Sequence, residues 1–157
     1  MTKDCKRSAA ELEVLAGLKA RVDALYLEYI FPVLATLRLG EDPAAVAAEE
    51  ALLADAEAAG VLVRRYIMPA DLSREDLELL IGQINTDPLL SALLLERPLP
   101  AHLDEAASFD LIAPAKRLEA GPACEILTKV VDAAERQAKQ ANAASDRKNG
   151  ALKGEKQ

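Results

Sequence analysis

"FPVLATLRLGEDPAA", residues 31–45, passes from a nearly continuous apolar run into a turn and then into a helix start. The run from Phe31 to Gly40 is short, partly β-branched and closed by glycine, the pattern of a strand covered on both faces; a half-exposed strand would alternate. A helix signal follows at once. Asp42 stands at the N-cap, Pro43 at the first helical position where its missing N–H costs nothing, and alanines and glutamates run on to a C-cap at Gly60. A buried strand leading straight into a helix is the unit from which parallel sheets are built.

The unit repeats along the chain. "VLVRRYIMP", Val61 to Pro69, reads as a second strand, and "LSREDLELLIGQIN" as a helix capped by Ser73 with Asp76 three residues on, a capping-box variant. Its buried stripe is expected at Leu77, Leu80, Ile81 and Ile84. "LLSALLLE", Leu89 to Glu96, reads as the third strand. Ahead of all three, Leu12, Leu15, Leu18, Val22 and Leu25 mark an amphipathic helix from Ser8 to Leu25. After a loop from Arg97 to about Gly121, with a helical turn near Asp104 to Asp110, Pro122 begins a last helix. Ala123, Ile126, Leu127, Val130, Val131, Ala134, Ala138 and Ala141 share one side of it. Beyond Asn142 the composition turns to Ala, Ser, Asn, Gly and Lys, and a fraying, flexible tail is expected. The expected fold is therefore α/β: a small, mainly parallel sheet of about three strands with helices on both faces. In such sheets ligands bind beyond the carboxyl ends of the strands, here Leu39–Asp42, Met68–Ala70 and Glu96–Pro100.

Composition narrows the function. The 157 residues suit one domain, and with five aromatic residues (Tyr26, Tyr29, Phe31, Tyr66, Phe109) the core must be aliphatic. Scarce aromatics also argue against nucleic acid as a partner, since base-stacking surfaces interleave rings with basic groups. The formal charge of −7 is uneven, because six basic residues from Arg136 onward face only Asp146 and Glu155, leaving −11 on the body. The tail is read as a solvated end rather than as an anion-binding arm. Cys5 and Cys124 lack a second Cys or His at ligand spacing, so no metal site is expected, and reduced thiols in a cytoplasmic protein are. The polar start "MTKDCKRSAAELEVL" is not a secretory signal, and no apolar window approaches membrane-spanning length.

"DCKRSAAEL", the strand-turn-helix of residues 31–45, "AAGVLVRRYIMP" and, above all, "LLIGQINTDPLLSALLLERPLPAHLDEAASFDLIAPAKRLEAG" together resemble, in order and spacing over about 120 residues, one family. It is the catalytic domain of the bifunctional methylenetetrahydrofolate dehydrogenase and methenyltetrahydrofolate cyclohydrolase, FolD. The resemblance implies residues 1–121 as a FolD-like domain, 122–142 as an amphipathic helix packed on it, and 143–157 as the basic tail. In the family, folate lies in a cleft between this domain and a nucleotide-binding Rossmann domain. No G-x-G-x-x-G fingerprint follows Gly121 in this sequence, so the Rossmann domain is expected to be absent, and with it hydride transfer by this chain alone.

The family's first strand-end helix carries a serine, a tyrosine three residues later and a lysine four after that. Counted from Gly40, those positions hold Ala45, Ala48 and Leu52. The family lysine transfers protons at the folate one-carbon bridge, which leucine cannot do, and the tyrosine ring against the pterin is lost with it. The family's Gln-Leu-Pro-Leu-Pro corresponds to Glu96-Arg97-Pro98-Leu99-Pro100, and its Asp-Val-Asp-Gly to Arg117-Leu118-Glu119-Ala120. No catalytic residue is therefore assigned. Glu96, Arg97, Pro98, Leu99, Pro100, Arg117 and Glu119 are the ligand-binding candidates, with Glu96, Arg97, Arg117 and Glu119 expected to form a compensated charge cluster or, alternatively, a rewired anion or ligand site. Lys116 and Arg117 are the stand-ins available for the lost lysine. His102 is expected to brace a turn, and Cys124 to be a small buried thiol.

The implied function is a single-domain, non-catalytic relative that binds a protein partner or a folate-like ligand in one-carbon metabolism. The alternatives are a minimal cyclohydrolase or the catalytic half of a split dehydrogenase. No cofactor is expected to be held by this chain alone, a tetrahydrofolate derivative being the candidate ligand. A second copy or a partner subunit is expected to cover the face that the missing domain would otherwise occupy.

Overall fold

The computed structural model describes residues 8–97, 99–119 and 121–155, with side chains through residue 140. Cys5, Pro98 and the side chains of the basic tail past residue 140 lie outside the described residues. The elements run α1 (Ala9–Leu27), β1 (Val33–Leu39), α2 (Pro43–Ala59), β2 (Leu62–Met68), α3 (Arg74–Thr86), β3 (Ala92–Leu95), α4 (Glu105–Asp110) and α5 (Ala123–Glu155).

The strands form one parallel sheet in the order β2-β1-β3, with Val33 beside Leu62 and Leu34 beside Ala92 at the start of the two ladders. β1 is central and buried from Leu34 onward, which is why its sequence is a continuous apolar run. β2 lies on the edge and has no fully buried residue. The outer margin of β3 is covered, because Leu93 N–H donates to the Lys116 carbonyl and Leu118 N–H to that of Leu93.

Helices cover both faces, as the alternation of strand and helix requires. On one face Leu34, Ala92 and Leu94 pack with Leu15, Leu18 and Val22 of α1, Leu52 and Ala56 of α2, and Leu127, Val130 and Val131 of α5. On the other, Ala35, Leu37, Leu39, Leu93 and Leu95 pack with Leu77, Ile81 and Ile84 of α3 and with Leu99, Leu103 and Ile112 of the following loop. A guanidinium clamp adds to the first face: Arg21 of α1 reaches Asp132 at 2.6 Å and Glu135 at 2.7 Å on α5.

The caps fall where the residue types place them. Asp42 Oδ1 accepts from Ala44 N–H at 2.9 Å, Ser73 Oγ from Asp76 N–H at 3.1 Å, and Gly60 closes α2 at φ 80°, a left-handed angle that glycine adopts without strain. Ser8 and Glu11 form a full capping box at α1 that the sequence reading did not single out.

Three expectations shift. Leu12 lies outside the buried stripe of α1, which begins at Leu15. β3 starts at Ala92 rather than Leu89, because Asp87 Oδ1 accepts from Leu89 N–H at 2.9 Å and folds residues 87–90 into a turn. The last helix, expected to fray after Asn142, continues to Glu155; alanine, lysine, glutamine and arginine, frequent from Arg136 on, lose little side-chain freedom in a helix. Among the described residues no helix is long and apolar enough to cross a membrane.

Leu127 is fully buried where α5 meets the sheet. Leu127→Ala is expected to lower stability by about 3 kcal/mol through lost burial and the void left behind, measured as the shift in a urea-unfolding midpoint.

Candidate functional site

Thr36 and Arg38 break the apolar run of β1, and two residues apart they fall on the same face as Leu34. Arg65 of β2 lies on that face too, beside Thr36 in the ladder. Polar groups buried there need partners, and α2 supplies one. Glu49, fully buried, accepts from Thr36 Oγ1 at 2.9 Å, Arg38 Nε at 3.1 Å and Arg65 Nη2 at 2.8 Å. Burial pushes the Glu49 carboxyl up, but the hydrogen bonds from Arg65, Thr36 and Arg38 outweigh it and hold the group below the usual carboxylate range. Arg38 Nη1 in turn donates to the Gly40 carbonyl.

Glu96 is the next residue on this face beyond β3. Its N–H donates to the Leu37 carbonyl at 2.9 Å, extending the β1 pairing by one step and turning the side chain toward Arg38 and α2. The residue is 7 % exposed, and Oε2 has no hydrogen-bond partner among the described residues. Burial first, then the neighbouring Glu49 carboxylate, push the Glu96 carboxyl up to about 7 against a smaller downward pull from Arg38. Beside it lies a cavity of about 330 Å³, walled by Ala48, Ala51 and Leu52 of α2, Leu94 of β3, and Gly121, Ala123 and Ile126 where α5 begins, with Arg97 at its rim. Leu52 is 3 % exposed, so an aliphatic side chain is built into the wall.

The remaining candidates scatter. Glu96, Arg97, Arg117 and Glu119 do not form the compensated cluster expected of them. Arg97 lies 4.0 Å from Glu105 and 5.9 Å from the Phe109 ring centroid. Arg117 stacks over the same ring at 5.0 Å and donates to the Ile112 and Asp110 carbonyls, tying down the end of α4. Glu119 is exposed. Leu99 belongs to the second core, and Pro100 accepts the Leu103 N–H in a turn. Ala45 is buried in the first turns of α2, away from the cavity wall, whereas Ala48 and Leu52 line it.

Lys116 is no stand-in for the lost lysine. Its amine donates to the Ile84 carbonyl at 2.9 Å and to that of Asp87, so it caps the end of α3 at the amino end of β3, a strand's length from Glu96. Burial pushes this amine below its ordinary range, with a smaller upward pull from Asp87. His102 braces a turn, its Nε2–H donating to the Leu72 carbonyl at 2.7 Å; a carbonyl can only accept, which fixes the tautomer. Cys124 is half-buried in the first turn of α5 and is absent from the cavity wall. Exposed apolar side chains gather at the amino end of the sheet, where Tyr29, Phe31, Leu62 and Leu89 border a second cavity of about 360 Å³. Among the described residues no group of three or more His, Cys, Asp or Glu could hold a metal ion.

A parallel three-stranded α/β domain with its cavity beyond the strand carboxyl ends is the class the fold and site define. Comparison places it more closely. The family model for the tetrahydrofolate dehydrogenase/cyclohydrolase catalytic domain matches residues 4–119, and the chain belongs to that family. It is 38% identical over 111 residues to the bifunctional protein FolD 2 of Pseudomonas syringae pv. tomato, a stretch that covers 71% of this chain and 37% of that protein. The bifunctional FolD enzyme of Campylobacter jejuni superposes with a TM-score of 0.68 at 23% identity, covering 69% of this chain and 38% of that one. The Trypanosoma brucei enzyme, solved with NADP cofactor and inhibitor, gives 0.65 at 24% identity over 69% of this chain and 37% of that one. These two likenesses show the fold.

Removing Glu49 would leave Arg38 buried without its carboxylate, and Glu49→Ala is expected to cost about 3–5 kcal/mol in denaturant unfolding. Glu96 has the opposite sign. Between about pH 4.5 and 7 the unfolded chain has released this proton and the folded chain keeps it, so the residue costs stability as pH rises through that window. Glu96→Gln is expected to stabilise the fold at pH 8 by on the order of 2 kcal/mol, read as a higher melting temperature, and to change stability little at pH 4.

Proposed function

We propose that this chain is a non-catalytic binding member of its family, holding a small ligand in the cavity beyond β3. Leu52 carries the reading: a buried hydrocarbon forms the wall at the position where family members hold a proton-transferring lysine. Ala48 beside it removes the ring that would lie against a pterin, and Lys116 and Arg117 are committed to backbone carbonyls elsewhere. Family membership makes a folate-like compound from one-carbon metabolism the first ligand to try. A protein partner is the other binding mode, and a second copy or a partner subunit would gain most apolar burial at the amino-end patch of Tyr29, Phe31, Leu62 and Leu89. A cytoplasmic setting suits the half-buried, unpaired thiol of Cys124.

One observation favours a second reading, a minimal methenyltetrahydrofolate cyclohydrolase or the catalytic half of a split dehydrogenase. Glu96 holds a proton to about pH 7 in the same cavity, which is what a general base or acid needs. The purified chain incubated with 5,10-methenyltetrahydrofolate separates the two. Loss of the substrate's absorbance at the buffer rate is the expected result. A faster loss that Glu96→Gln abolishes would overturn the binding reading and establish the catalytic one.

A further inference from the structure

α1 ends in a Schellman turn: the Ile30 N–H donates to the Leu25 carbonyl at 2.9 Å and the Tyr29 N–H to that of Tyr26, with Glu28 as the C-cap. The position after such a cap turns left-handed and is usually glycine. Here it is Tyr29, at φ 62°, the one positive φ outside glycine among the described residues. A side chain in that conformation strains the backbone, and such strain gathers where a residue is kept for its contacts. Within the chain Tyr29 has few, being 87 % exposed. It stands at the lip of the groove of about 360 Å³ at the amino end of the sheet, with Phe31, Leu62 and Leu89 open to solvent around it. The folded monomer gains little from the ring that strains it.

We infer that this patch is the interface of a two-fold dimer, in which Tyr29 of each copy seats in the groove of the other. A second copy is selected first by shape. Knob and hole lie side by side on one surface, and a two-fold contact requires a patch that complements itself. The groove suits a tyrosine: Val33, Leu62, Pro88 and Leu89 offer hydrocarbon to the ring, and Gln137, whose amide nitrogen donates to the Leu90 carbonyl at 3.5 Å, keeps its oxygen for the hydroxyl proton. Arg64, also in the groove wall, holds Tyr66 and Asp87 at 3.5 Å each, contacts long enough to yield to an aromatic face. Charge agrees with shape. Arg64 and the exposed Glu28, which precedes Tyr29, give the patch both signs, so a two-fold rotation can set the cation of each copy toward the anion of the other. Size agrees too. Tyr29, Phe31, Leu62 and Leu89, exposed by 87, 47, 49 and 67 %, present on the order of 500 Å². A standard interface buries about 800 Å² per partner, a little under two-thirds of it apolar in homodimers, so the patch supplies the apolar share of one such interface. The contact lies at the end of the sheet opposite the cavity beyond β3 and is independent of what that cavity binds.

Sedimentation equilibrium of the full chain tests this. A reversible monomer–dimer equilibrium is expected, with the dimer predominant at about 100 μM. Tyr29→Gly separates strain from association. It relieves the left-handed strain, so the melting temperature measured at dilutions where the chain is monomeric should rise, while the dimer should dissociate at least about tenfold more readily. Leu89→Glu, at an exposed turn position, should weaken the dimer by a similar factor and leave the monomer's melting temperature near that of the parent. A chain that stays monomeric at about 100 μM overturns the inference, as does a dimer indifferent to both variants or an assembly that grows past two copies with concentration. Calorimetric titration with tetrahydrofolate and the methenyltetrahydrofolate turnover assay report on the other end of the sheet, so failure of the dimer and failure of the binding reading are told apart.

Discussion

Glu49 is the carboxylate around which the first face of the sheet is arranged. It is fully buried, and three donors from two strands converge on it: Thr36 and Arg38 from β1 and Arg65 from β2. A charge taken out of water is tolerable only when its lone pairs are met, so α2 has one rotation and one height at which it can sit on the sheet. Helices held by hydrocarbon alone can slide by fractions of a turn at modest cost; this one cannot. Its rotation places Ala48 and Leu52 in the cavity wall, because they flank Glu49 along α2.

The same network explains why the cavity is charged as it is. Arg38 lies next to both Glu49 and Glu96 but bonds only the former, and its other arm holds the Gly40 carbonyl. Glu49 therefore draws off the cation that would otherwise neutralise Glu96, and adds its own repulsion. One carboxylate is held ionised by its three donors, while the other, on the same face, keeps its proton to about pH 7. The two environments separate the carboxyls by partner count rather than by burial, since both are buried.

Much of this was legible in the residues. The strand-turn-helix of residues 31–45, the caps at Asp42, Ser73 and Gly60, and the three-strand parallel sheet follow from local patterns that the tertiary structure reinforces. The location of Glu96 at the cavity also followed, because the strand-end rule depends on topology alone. The partners did not. Charges adjacent in sequence suggested a cluster of Glu96, Arg97, Arg117 and Glu119, yet neighbouring residues leave a strand end in different directions, and each arginine found nearer acceptors. The network that does form was hinted at by Thr36 and Arg38, polar residues two apart in a buried strand. Finding Glu49 would have required asking which helical carboxylate faces that strand. Lys116 was misplaced for a related reason: its position along the chain puts it near Arg117, but its amine reaches back to the end of α3.

The open flank of β2 carries its own safeguard. As the outermost strand it presents unsatisfied main-chain groups that another chain could extend, and its adjacent Arg64 and Arg65, both part-exposed, stand in the middle of that flank. Charged side chains on an edge strand are a device by which natural sheets discourage edge-to-edge pairing, so the strand that steadies Glu49 through Arg65 is also marked at its open flank by charge.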